Sequence, residues 1–177
     1  IDGLTFGGIR STLIAGFYKE VFIQGEYWRI LTGAALHGGF LHLFFNCYAL
    51  VALGRAIEIL SNRSHLAVVF LLSVIGGGLM SFAFAPSGIS VGASGGIIGF
   101  LGYLTVYGFF RRKLMPKSFL KNLLINIGFI AILGAVILPL IASRTESVDV
   151  PRVDNFAHLG GLLMGALYGF FQIFKAE

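Results

Sequence analysis

The sequence predicts an all-α fold: a polytopic transmembrane helix bundle built as a single membrane domain over residues 1–177. Three observations carry that expectation. The chain is 56% hydrophobic and only 12% charged, with a mean hydropathy of +0.88, whereas soluble domains carry about 25% charged residues. Five apolar segments reach or approach the roughly 20 residues that a helix needs to cross the hydrocarbon core. The 25 glycines suit helices whose backbones approach closely in lipid, where small residues dominate the contacts.

The elements follow in order. Residues 1–39 read as an outer loop, and residues 1–36 lack the long apolar core and small-residue cleavage site of a signal peptide. Within that loop Ile9–Ile23 is apolar but interrupted by Arg10, Lys19 and Glu20. It reads as an amphipathic piece lying on the membrane surface or partly embedded. Tyr27-Trp28-Arg29 suits an interfacial anchor, with rings at headgroup depth. Spans are expected at approximately 40–60, 65–85, 94–110, 122–142 and 155–174. His65, at the start of the second span, is expected to cap the helix or snorkel. Gly76-Gly77-Gly78 in the same span marks close packing or a kink. Cys47 reads as a small core residue, and as the single cysteine it excludes an internal disulfide.

The net charge of +5 does not point to nucleic acid, because the basic residues cluster between apolar segments. Arg55, Arg63, Arg111, Arg112, Lys113, Lys117, Lys121 and Lys175 account for eight of the 13 Lys and Arg residues. All eight fall at alternate connections and at the end of the last span. The opposite loops are Pro86–Ala93, which is uncharged, and Ser143–Asp154, with two arginines against three acids. The positive-inside rule therefore puts the basic connections in the cytoplasm. The segments leading to Ser94 and His158 then face outside. Ser94 and His158 themselves were not used to reach that orientation.

Ser94 opens the third span within Gly92-Ala93-Ser94-Gly95, and His158 lies at the start of the fifth within Asp154-Asn155-Phe156-Ala157-His158. A serine in a membrane helix ordinarily hydrogen-bonds a carbonyl one turn back, and a lone histidine is ordinarily a bonded structural group. Their settings favour chemistry. Gly92 and Gly95 permit a tight turn and an uncrowded approach by a substrate backbone, and a helix N-terminus offers unpaired N–H groups to an anion. Gly95 and Gly99 continue behind Ser94, while Gly161 and Gly165 continue on the face of His158. Matching glycine stripes would let the two helices meet, so that His158 acts as base and acid for a Ser94 nucleophile. Asp154, one turn outward of His158, invites a triad but reads better as an N-cap in the aqueous loop.

His42 and Asn46 share one face of the first span, with His37 just outside it. Asn46 and His42, with the Ser94 backbone N–H, could donate to the oxyanion of an attacked carbonyl. The alternative is a network tying the outer segment to the span, the preferred reading for His37. A metal site from His37, His42 and His158 would leave Ser94 without a role, so neither metal nor other cofactor is expected.

Together these residues resemble the rhomboid intramembrane serine proteases. The matching residues are Trp28-Arg29; His37, His42 and Asn46; Gly54 and Glu58; Gly92-Ala93-Ser94-Gly95; and Ala157-His158 with Gly161 and Gly165. They occur in the family's order and cover the chain from about residue 26 onward. The resemblance implies a rhomboid-like six-helix core, of which five spans lie in this chain and the first would precede Ile1. It also implies Ser94 as nucleophile, His158 as general base, His42, Asn46 and Gly92 beside the oxyanion and substrate, and Trp28, Arg29 and His37 as structural polar groups. The outer cap would be Pro86–Ala93 with the loop near Ser143–Asp154. One departure is Ile98, where the family often has an aromatic ring against the histidine.

The expected function is an endopeptidase that cuts single-span membrane proteins near the outer membrane boundary by a Ser-His dyad. The expected setting is a bacterial inner membrane, with the site opening to the non-cytoplasmic side. A non-catalytic rhomboid-like protein that binds membrane clients is the alternative. A channel or transporter is disfavoured, because no span carries a charge at mid-depth.

Overall fold

A computed structural model describes residues 9–85, 87–114, 116, 118–132, 140 and 153–175. The described chain runs α1 (Ile9–Ala15), β1 (Phe17–Tyr18), α2 (Lys19–Phe22), α3 (Arg29–Ala35), α4 (Phe40–Leu60) and α5 (Arg63–Phe84). It continues through β2 (Ile89–Ser90), α6 (Ser94–Phe110), a 3-10 turn (Arg112–Leu114), α7 (Phe119–Ile132) and α8 (Asn155–Lys175). It is a helical membrane bundle, with α4, α5 and α8 each long and apolar enough to cross a bilayer.

At 17 residues α6 is shorter than these three; at 1.5 Å per residue it extends about 26 Å, under the roughly 30 Å of a hydrocarbon core. It is also the most enclosed element, with Gly95 through Leu104 all buried. A helix apolar on every side belongs inside a bundle, and α6 is wrapped by α4, α5, α7 and α8. Its Phe100, Leu101, Tyr103 and Leu104 meet Ile57 of α4, Val69 of α5 and Leu123 of α7 in the main core.

Glycines set how closely α5, α6 and α8 approach. A Cβ on Gly161 would run into the Gly95 carbonyl, and one on Gly165 into the Gly99 carbonyl. On the other side of α8, a Cβ on Gly160 would sit 2.6 Å from the Gly76 carbonyl oxygen, and one on Gly77 2.5 Å from the Ala157 carbonyl oxygen. Backbone therefore meets backbone on both faces of α8. Gly76-Gly77-Gly78 serves close packing, inside an unbroken helix.

Several expectations are corrected. Ile9–Ile23, read as one amphipathic piece, is divided at Gly16, and β1 pairs antiparallel with β2 in the register Phe17↔Ser90 and Tyr18↔Ile89. Lys19 is 3% exposed rather than on a wet face, because an acid from far along the chain meets it. Cys47 is exposed on α4; inside and outside of a membrane helix are equally apolar, so composition could not tell them apart. His65 neither caps nor snorkels: Asn62 accepts the His65 N–H at 3.0 Å, and the ring turns inward to the Tyr168 hydroxyl at 2.9 Å. The rest of the segment expected at 122–142, past Ile132 and apart from Leu140, lies outside the described residues, as does the loop 143–154 except its last two.

Candidate active site

The segment before α4 forms the floor on which the site stands. Arg29 opens α3 and is buried; its guanidinium donates to the Leu13 and Gly16 carbonyls at 3.2 and 3.0 Å and pairs with Glu26. Trp28, half exposed, lies beneath the same guanidinium at 4.8 Å from its ring centre. Arg29 therefore folds α1 and the Gly16 bend against α3. Gly33 of α3 accepts the Gly92 N–H at 3.0 Å, which hangs the segment before Ser94 on the loop.

Gly92 has φ of +120°, a conformation open to glycine at little cost. A Cβ there would also lie 2.7–2.8 Å from Cε1 and Nε2 of His42. The bare glycine thus performs two tasks, turning the chain into α6 and admitting the imidazole edge beside it. Ser94 is the first residue of α6, where N–H groups have no carbonyl one turn back.

His158 lies in the first turn of α8, its own N–H bonded to the Asp154 carbonyl at 3.0 Å. Its Nε2 is 2.7 Å from Ser94 Oγ. Gly95 of α6 faces the Ala157 carbonyl, so no side chain holds the two helix ends apart. Ile98 is buried in α6.

His42 accepts the Gly38 N–H on Nδ1 at 3.3 Å. A neutral ring that accepts at Nδ1 carries its proton on Nε2, the atom turned to Gly92. His37 is buried with its ring edge-on to His42 at 5.2 Å between centres, and its Nε2 has no partner among the described residues. Burial pushes its pKa down, while a hydrogen bond with the Ala35 backbone works the other way. Asn46 is buried and donates one amide hydrogen to the His42 carbonyl at 2.8 Å; the other remains for a second acceptor.

Asp154 does more than the cap read from sequence. Its Oδ1 does cap α8, accepting the Ala157 N–H at 2.9 Å. Its Oδ2 accepts from the Ser81 and Ser90 hydroxyls and faces Lys19 Nζ at 3.4 Å. The side chain is 17% exposed, largely withdrawn from water rather than standing in an aqueous loop. Burial opposes its ionisation, but the hydrogen bonds and the Lys19 charge outweigh that and hold its pKa below the usual carboxylate value. Sequence offered one signal, the capping position; the other partners lie 64 to 135 residues away.

Comparison with known proteins agrees with this architecture. The family profile for the Rhomboid domain matches residues 24–174. The chain is 35% identical over 161 residues to rhomboid protease GluP of Bacillus subtilis, covering 88% of this chain and 28% of that protein. It is 32% identical over 166 residues to the mitochondrial RHOMBOID-like protein 6 of Arabidopsis thaliana, covering 90% and 48%. It is 30% identical over 161 residues to putative rhomboid protease YdcA of B. subtilis, covering 90% and 74%. The chain spans less than half the length of the first two. With a match that runs from the segment before α3 through α8, this integral membrane protein belongs to the rhomboid family.

Proposed function

We propose that this protein is an intramembrane serine endopeptidase working through a Ser94–His158 dyad. The observation that carries the reading is the 2.7 Å contact between Ser94 Oγ and His158 Nε2, a nucleophile within hydrogen-bond reach of its base. As Oγ bonds to the scissile carbonyl carbon, Nε2 takes its proton and the carbonyl oxygen becomes an oxyanion. That oxyanion would be met by the Ser94 N–H, the Nε2–H of His42 and the second amide hydrogen of Asn46. The imidazolium then passes its proton to the leaving amine as the C–N bond breaks. Water attacks the resulting ester with His158 again as base, releasing the acid and restoring the serine.

The substrate class follows from the surroundings. The site lies at the ends of membrane helices, so the peptide presented to it belongs to a membrane-embedded protein, and a single-span protein can present one most simply. The charge asymmetry of the connections supports a site that opens to the non-cytoplasmic side, and a bacterial inner membrane is the setting that completes this reading.

Labelling by a serine-reactive fluorophosphonate in detergent tests the dyad, paired with cleavage of a model single-span substrate. Wild type should be labelled and should cleave, while folded Ser94→Ala and His158→Ala should do neither. Cleavage by Ser94→Ala at near the wild-type rate would overturn the mechanism. Retained client binding without any cleavage by wild type would favour the client-binding alternative.

A further inference from the structure

Two hydrogen bonds join the segment entering α6 to the segment entering α8, in one register. Ser94 reaches His158, and Ser90, four residues earlier, reaches Asp154, four residues earlier; both pairs are separated by 64 residues. The outer pair is anchored more heavily than the inner. Asp154 also takes the Ser81 hydroxyl of α5 and the Lys19 ammonium of α2, while its second oxygen caps α8. One carboxylate thus fastens α2, α5, the β2 strand and the first turn of α8 at a single point.

We propose that Asp154 is a positioning residue of the dyad, its bond to Ser90 acting as an outer brace that keeps Ser94 Oγ and His158 Nε2 at reacting distance. This rests on the dyad reading above. The inner pair has little else to hold it from outside. Gly92, between the two bonds, has the freest backbone of any residue type, and the position one turn into α6 carries Ile98, an aliphatic side chain that offers no hydrogen bond. The two-residue β1–β2 pairing is far below what stands alone in water. Without Asp154 the strand before Ser94 would keep the Gly92–Gly33 and Gly88–Glu20 bonds to the outer loop but lose its bond to the histidine helix. A loosening of about 1 Å at the reacting atoms can cost on the order of 100-fold in rate.

Among the described residues the His158 ring bonds Ser94 and not Asp154, so the carboxylate does not stand as the third member of a triad. Its Oδ1 is given to the Ala157 N–H, and its Oδ2 to two hydroxyls and a cation. The carboxylate is turned to the cap and the outer loop, so it acts on His158 through the helix turn that it caps.

The test measures fluorophosphonate labelling rate per folded molecule, together with kcat and KM for a single-span substrate. Asp154→Ala should slow labelling and kcat by about tenfold or more, with KM changed less than about twofold. Ser90→Ala cuts only the strand end of the brace and leaves the α8 cap, so it keeps the proposal testable if Asp154→Ala fails to fold. It should slow labelling by roughly threefold to tenfold with little change in melting temperature. The paired change Asp154→Asn with Lys19→Met removes both charges but keeps a capping oxygen and an amide that can bond Ser90. It should recover labelling to within about threefold of wild type. A purely structural carboxylate would lower stability while folded Asp154→Ala and Ser90→Ala labelled at the wild-type rate; that result overturns the brace. So does a paired variant no faster than Asp154→Ala. If wild type takes up no probe, or Ser94→Ala takes up as much, the dyad itself fails. Uptake confined to Ser94 but indifferent to Asp154 and Ser90 removes the brace alone.

Discussion

Asn46 and His37 show how much a single polar residue can be read for. Asn46 keeps one amide hydrogen after bonding the His42 carbonyl, so its contribution should come when an oxyanion develops. Losing one such donor typically costs about 100- to 1,000-fold in kcat. With the Ser94 N–H and His42 still in place, Asn46→Ala should fall at or below the low end, with KM nearly unchanged. Steady-state kinetics would check this, and a raised KM at constant kcat would assign Asn46 to uniform binding instead. His37 makes a prediction about pH. Its folded pKa lies below the ordinary value of about 6.5 because burial disfavours the imidazolium. Between that ordinary value and the lower folded one, the unfolded chain binds the extra proton, so acid favours unfolding. Melting temperature should drop as pH falls below about 6.5, and the drop should be smaller in His37→Gln; an identical pH profile in the variant would remove His37 from the account. The places of Ser94 and His158 at the starts of their helices, and the capping oxygen of Asp154, were legible because each depends on a few neighbouring positions. Lys19 was not, since its local sequence suggests a surface charge and only a residue 135 positions away explains its burial.

At the scale of elements, the close approach of α8 to α5 and α6 comes from glycine rather than from shape-matched side chains. Gly161 and Gly165 lie directly on the Gly95 and Gly99 carbonyls. Gly161→Val should therefore push α8 from α6, reduce cleavage by on the order of 100-fold, and lower the melting temperature in detergent. Ser94→Ala should lose activity without losing stability, so the pair separates packing from chemistry. Normal cleavage by Gly161→Val would contradict the close α6–α8 contact. The stripes were legible because spacing of four along a helix fixes a face. The β1–β2 pairing was not, because two residues carry no alternation to detect, and its partners lie on either side of four helices.

For the whole molecule, apolar surface on the outside is the rule that sequence reading handles worst. In water Cys47, Phe44, Phe45 and Tyr48 would compete for the interior; here all four are exposed along α4 and suit a lipid surround. An apolar maleimide should label Cys47 in intact bilayers while a charged thiol reagent labels it far more slowly, the difference vanishing after detergent unfolding. Equal labelling by both reagents in the bilayer would place that face of α4 against water. The overall helical membrane architecture was legible from composition and segment length alone, whereas the side of each helix that faces lipid was not. The glycine contacts of α6 and α8 carry a consequence for how such a chain can change. Where two helices touch through bare main chain, their separation is gauged by the thickness of the polypeptide itself, a length common to every protein. The lipid-facing residues of α4 and α8 can then be exchanged widely without altering that gauge, leaving the distance between serine and histidine nearly independent of most of the text that encodes it.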